Sequence, residues 1–138
     1  MANVANIQSS IRAYLLTKTA LTAKIGTRLY DLYKSGTTTT YPLMKMGLIH
    51  KQEPGEAGLL NVYFQFSIFT EDRDMMEAHE IENILRGILN AREKTTAIQP
   101  TGWVIFGISQ YGDVRTHGID QAGIAHVSVD YRVSCAET

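Results

Sequence analysis

The stretch GIAHVSVDYRVSCA, residues 123–136, separates into two rows of side chains with different chemistry. Ala125, Val127, Val129, Tyr131, Val133 and Cys135 make an apolar row; Ile124, His126, Ser128, Asp130, Arg132 and Ser134 make a largely polar one. Successive side chains of a strand point to opposite faces, so this alternation predicts a half-buried strand with a dry side and a wet side. LLNVYFQFSIF (59–69) repeats the pattern, with Leu60, Val62, Phe64, Phe66 and Ile68 on one all-apolar face. It is the strongest strand signal in the chain and is expected to lie centrally. Strands that are dry on one side only demand a sheet with one covered face, and the cover has to come from elsewhere in the sequence.

Two amphipathic helices can supply it. Val4, Ile7, Ile11, Tyr14 and Leu15 recur at three- and four-residue steps, which predicts a helix over 4–18 with Asn6 and Ser9 on its far side. A second helix is predicted over 73–91, with Ala78, Ile81, Ile84, Leu85, Ile88 and Leu89 as its buried stripe. The acidic residues of TEDRD, which lead into it, suit the positive end of the helix dipole. Between these helices, TALTAKIG reads as one extra turn, with Thr19 as N-cap and Gly26 as stop.

TRLYDLY (27–33) is a short strand ended by the polar loop SGTTTTY. Pro42 opens the next strand, which sends Met44, Met46 and Leu48 one way and Lys45, Gly47 and Ile49 the other. EPGEAG (53–58) is a turn segment. A strand from Trp103 to about Tyr111 follows the QPTG loop, and GDVRTHGIDQAG connects it to the last strand. The order αβββαββ places the chain in the α+β class. The expected architecture is an antiparallel sheet with the two main helices on one face, as a single domain over 1–138.

The 138 residues suffice for one core without a staple, since a chain of this length buries roughly 70% of its unfolded surface. A net charge of −1 gives no global footprint for nucleic acid. Cys135 is the only cysteine, which excludes an intramolecular disulfide and a multi-thiolate metal site. Its place on the apolar row makes it a small core residue. MANVANIQSSIRAYLL lacks both the basic cluster of a secretory signal and the ~20 apolar residues of a membrane span, so the protein is expected to work in cytosol or in something assembled there.

Reactive constellations are not evident. His50, His79, His117 and His126 lie on separate elements, and HEIE (79–82) lacks the second histidine of a zinc-protease helix. It reads as the solvated side of the second helix. His126, Asp130 and Arg132 share a strand face, but residues two apart on a strand sit roughly 6.5–7 Å apart, beyond most direct hydrogen bonds. A polar solvated or interfacial face is the simpler reading. No phosphate loop or nucleophile elbow is present, and Tyr63, Phe64, Phe66 and Phe69 are assigned mostly to the core strand and not to a base-stacking platform. No catalytic residue, metal or cofactor is expected, and the chain reads as a non-enzyme.

Taken in order, these segments resemble the phage tail terminator or tail completion family of long-tailed phages and prophages, over about residues 7–136. The carriers are IRAYLLTKTALTAKIGTRLY, the proline-led YPLMKMGLI, VYFQFSIFTED leading into MMEAHEIENILRGIL, and the closing IAHVSVDYRVSCAE. The chain departs from the family at YDLYKSGTTTTYP, where a proline often follows the first strand's tyrosine sooner. The resemblance implies a homohexameric ring at the head-proximal end of the tail tube, which stops tube polymerisation and offers a surface to the head completion or connector protein. It implies a virion tail component assembled in the host cytoplasm, with no membrane partner and no specific nucleic-acid binding.

On that reading, partner contacts are expected from three places. They are the threonine-rich loop (Ser35, Thr37, Thr38, Thr39, Thr40), the connection before the last strand (Arg115, His117, Asp120) and the wet row (His126, Ser128, Asp130, Arg132). The competing readings are a head–tail connector or minor tail protein of similar fold, a small soluble ligand-binding α+β domain, and, least supported by the charge, a nucleic-acid-binding module.

Overall fold

The computed structural model describes residues 3–33, 40–52, 58–71, 75–90 and 97–138. In chain order these form α1 (Ala5–Leu16), α2 (Thr19–Ile25), β1 (Leu29–Asp31), β2 (Leu43–Lys51), β3 (Leu59–Thr70), α3 (Met76–Leu89), β4 (Trp103–Ile119) and β5 (Ala125–Glu137). One five-stranded sheet runs in the order β1-β2-β3-β5-β4. The fold is α+β, as the periodicities predict.

The two alternating segments become neighbours at the centre of the sheet. Phe64 faces Tyr131, Phe66 faces Val129 and Ile68 faces Val127 across the β3–β5 ladder, so the two apolar rows fall on the same face. Ile7, Ile11, Tyr14 and Leu15 of α1, Leu21 and Ile25 of α2, and Ala78, Ile81, Leu85 and Leu89 of α3 join these rows in one buried cluster. Phe66 and Tyr131 meet edge to face with ring centroids 5.6 Å apart, a geometry that aromatic quadrupoles favour. Side chains tie α1 down at both ends. Trp103 Nε1 donates to the Asn3 carbonyl at 3.0 Å, and Arg12 Nε donates to the Leu29 carbonyl at 3.0 Å.

Three expectations need correction. First, the sheet is mixed. β1 pairs parallel to β2, while the other pairs are antiparallel. A parallel neighbour requires the chain to cross back to its starting end, and the stretch between Asp31 and Leu43 is long enough for that where a tight hairpin is not. β1 stops after three residues because the Asp31 carboxylate accepts the Tyr33 N–H at 2.8 Å, turning the backbone out of the ladder.

Second, α2 begins at the residue expected to be its cap, one residue earlier than predicted. Lys18 is the N-cap without a side-chain bond, and Thr19 is the first helical residue. Gly26 does end the helix, at a φ of 61° that suits glycine.

Third, the segment read as a connection after Tyr111 is strand. β4 continues to Ile119, and the real turn is carried by Asp120, whose Oδ1 accepts the N–H groups of Ala122 and Ile124. Register shifts between Ile105 and Gly107, Tyr111 and Arg115, and Thr116 and Gly118 interrupt its pairing with β5. Each bulge inserts residues on one strand only, so the period-two signal loses phase and the sequence reads as loop.

Candidate functional site: the open face of the sheet

The side of the sheet away from the core collects the residues of opposite parity. On β5 these are His126, Ser128, Asp130, Arg132 and Ser134; opposite them on β3 stand Phe69, Ser67, Gln65, Tyr63 and Asn61. β2 contributes Lys45, opposite Ser67, and His50, opposite Tyr63. His50 reaches this face because a bulge between Leu48 and His50 sets Ile49 aside. β4 adds Tyr111 opposite Asp130 and Arg115 opposite Ser128.

These side chains are bonded to one another. The Arg115 guanidinium donates from Nη1 and Nη2 to the two Asp130 carboxylate oxygens at 2.9 and 2.8 Å, and from Nε to Ser128 Oγ at 3.0 Å. His117 Nε2 shares a 2.7 Å hydrogen bond with the same hydroxyl. The His117 ring stacks on His126 at 4.1 Å, and His126 stacks on Phe69 at 4.2 Å, with both pairs 18° from parallel. Lys45 Nζ sits 5.7 Å from the Phe69 centroid. Further along, Tyr63 packs between His50 at 5.3 Å and the edge of Tyr111 at 4.9 Å. Ile49, His50, Gln52, Tyr63, Tyr111 and Asp130 line an open cleft of about 310 Å³.

The face is therefore a layered surface and not a row of hydrated side chains. Ser128 is fully buried and Asp130 is 8% exposed, roofed by Arg115 and His117 from β4. Burial, then the charges of His117, Arg115 and Lys45, push the His126 imidazole down to about 4, so it is neutral at physiological pH. Its Nε2 is buried and finds no hydrogen-bond partner among the described residues. The partner Asp130 and its hydrogen bonds hold the Arg115 guanidinium in its charged form, above its usual range.

Five of the expected contact residues, Arg115, His117, His126, Ser128 and Asp130, converge in this network, and Arg132 stands exposed on the same face. Ser128 is covered in this arrangement and Asp130 is exposed only at the wall of the cleft; both bond Arg115, and Ser128 also bonds His117. Asp120 is taken up by its own turn. Thr40 is exposed beside Tyr41, and Ser35, Thr37, Thr38 and Thr39 lie outside the described residues. Phe69 and Tyr63 belong to the open face and not to the core strand's apolar row. The parity of 59–69 carries that signal, because both are odd-numbered where the core residues are even. HEIE is corrected in part: Glu82 is buried, and both its oxygens accept from Arg86 Nη2 at 2.7 and 2.8 Å. His79 lies within 3.3 Å of Thr116 Oγ1.

One end of the open face is apolar. Leu59, Ala136 and Val104 stand side by side across three strands, and the bulge leaves Phe106 beside them; Leu59, Val104 and Phe106 are exposed. Among the described residues, no group of three His, Cys, Asp or Glu side chains is placed to hold a metal ion, and no helix is long and apolar enough to cross a membrane. Cys135 is buried, its thiol 3.5 Å from the Leu60 carbonyl and pushed up to about 11 by burial, a state in which a thiol is a poor nucleophile.

No protein-family model matches the sequence, and no curated protein does. Solved structures do match. A chain from the virion of a native gene transfer agent particle superposes with a TM-score of 0.69 at 15% identity, over 98% of this chain and 95% of that one. A second solved structure matches with a TM-score of 0.59 at 12% identity, over 100% of this chain and 97% of its own. Likeness of this kind, end to end at low identity, shows a shared fold.

Proposed function

We propose that this chain is a structural component of a phage-type particle and, within that class, a tail terminator: a ring that caps the head-proximal end of the tail tube and receives the head. The observation that carries the reading is the end-to-end likeness to a chain of the gene transfer agent virion, in which this fold serves as part of a particle. The order of segments that resembles the tail terminator family supports the narrower role. The physical layout is compatible with it. Helices cover one side of the sheet, and a polar, internally bonded face remains on the other for a channel wall or a neighbouring subunit. The apolar row of Leu59, Val104 and Phe106 offers a surface for packing against another protein.

A tube end exposes the surface that recruits the next ring, so head-to-tail growth continues until a subunit occupies that end without offering the same surface again. Deleting the gene should therefore give tails of uncontrolled length beside filled heads that fail to join them. Adding the purified protein to such tubes should place density at one end only. Tails of normal length and normal infectivity in the deletion would remove the terminator role. A mass measurement on the purified protein gives a quicker check, with a hexamer, or a monomer that assembles only on tubes, as the expected result.

A further inference from the structure

We infer that the open face of the sheet is a contact surface for the sugar–phosphate backbone of DNA. Lys45 of β2, Arg115 of β4 and Arg132 of β5 all stand on this face. Among the residues paired across it, Asp130 is the only carboxylate, and Arg115 holds both of its oxygens. Three cations, less that carboxylate and the exposed Asp113 in the β4 bulge between Tyr111 and Arg115, leave one positive charge on a face of a chain whose net charge is −1. The acidic surplus lies elsewhere, at positions such as Glu77 and Glu80 on α3, Asp31 at the β1 edge and Asp120 in the last turn. The sequence hides this segregation because the two signs are interleaved along the chain and separate only when the strands are laid side by side.

Spacing and surface texture select the kind of anion. With about 4.8 Å between strands and about 3.3 Å per residue, Lys45 and Arg132 stand roughly 16 Å apart. One acidic side chain cannot bridge them; an extended polyanion can. Neither forms an ion pair among the described residues, so both are available to a partner. The rings of the face are engaged with one another, in the Phe69–His126–His117 stack and the His50–Tyr63–Tyr111 group. They form a floor and do not offer slots for unstacked bases, which favours phosphate contact without sequence preference over base stacking. Two contacts in a single chain bind weakly, and a ring of such faces would multiply them.

The test is a titration of isotope-labelled protein with a DNA duplex of about 20 base pairs, followed by NMR at about 50 and about 200 mM salt. Shifts should concentrate at Lys45, Tyr111, Arg115, His117 and Arg132, with log K falling against log salt at a slope of about −2 per chain, close to 0.9 for each of two phosphates. The double variant Lys45→Glu/Arg132→Glu should keep its melting temperature and bind at least about tenfold more weakly. No shifts at low salt, or shifts confined to the helical side, would overturn the inference. Poly-glutamate of equal charge shifting the same residues with equal affinity would overturn it too, in favour of an acidic protein partner. The titration reads the face of a single chain and the ring is read by mass, so either proposal can fail without the other.

Discussion

Gly47 sits where the chain leaving β1 crosses β2. A Cβ at this position would lie 2.6 Å from the Leu32 Cβ and 3.3 Å from the Tyr33 ring, and Tyr33 is anchored there by its hydroxyl, which donates to the Leu48 carbonyl at 2.9 Å. Because Leu32 Cβ is fixed to the backbone, Gly47→Ala should displace the whole crossing and cost about 1–3 kcal/mol in urea unfolding, the usual range for overpacking. An unchanged midpoint would mean that the crossing moves freely. Phe64 tests the opposite limit. It is fully buried on the central strand, so Phe64→Ala should cost about 3–5 kcal/mol from lost burial and the cavity left behind. Cys135, equally buried, should label slowly with thiol reagents in the native protein and rapidly once unfolded.

At the scale of the element, β4 carries the most structure that its own sequence conceals. Its bulges let Arg115 and His117 fold over Ser128, and the carboxylate beneath is left with 11% of its side chain exposed. Arg115→Ala strands that carboxylate without its cation. Breaking a fully buried pair costs about 3–5 kcal/mol, but the Arg115 side chain is 45% exposed and solvent screens part of the interaction, so about 1–3 kcal/mol is expected. Adding Asp130→Asn to that variant should restore part of the loss, and the double-mutant cycle measures the coupling. Strict additivity of the two substitutions would show that Arg115 and Asp130 are neighbours without being partners. β1 behaves differently from β4. Its three residues are short enough, and its Leu29 carbonyl occupied enough by Arg12, that this edge of the sheet is blunted against further pairing.

For the molecule as a whole, the histidine stack sets a pH dependence. His126 titrates near 4 in the fold against 6.5 when unfolded, so the fold prefers the neutral ring and the unfolded chain takes up the proton first as pH falls. The stabilisation is therefore complete above about 6.5 and is lost progressively as pH falls from about 6.5 to about 4, with no further loss from this group below that. The melting temperature should drop across that window. His126→Phe keeps a ring between Phe69 and His117, and should flatten the acid limb of the profile. An identical limb in the variant would show that His126 does not set it.

The class of fold, and which side of each central strand is dry, follow from the order of residues alone. Two segments with strict alternation and two with helical periodicity admit few arrangements, because an apolar row must be buried whatever its neighbours are. The β3 and β5 core rows and the stripes of α1 and α3 were legible for that reason. How the wet side is bonded depends on the packed strands. Asp130 and Arg115 lie fifteen residues apart on different strands, and their meeting depends on register shifts within β4 that have no periodic signature. The parallel pairing of β1 was equally hidden, since its three residues look alike in either direction and only the crossover sets their sense. Local periodicity follows from backbone geometry and needs no partner; charge pairing across strands, and the segregation of cations onto one face, exist only once the chain has closed on itself.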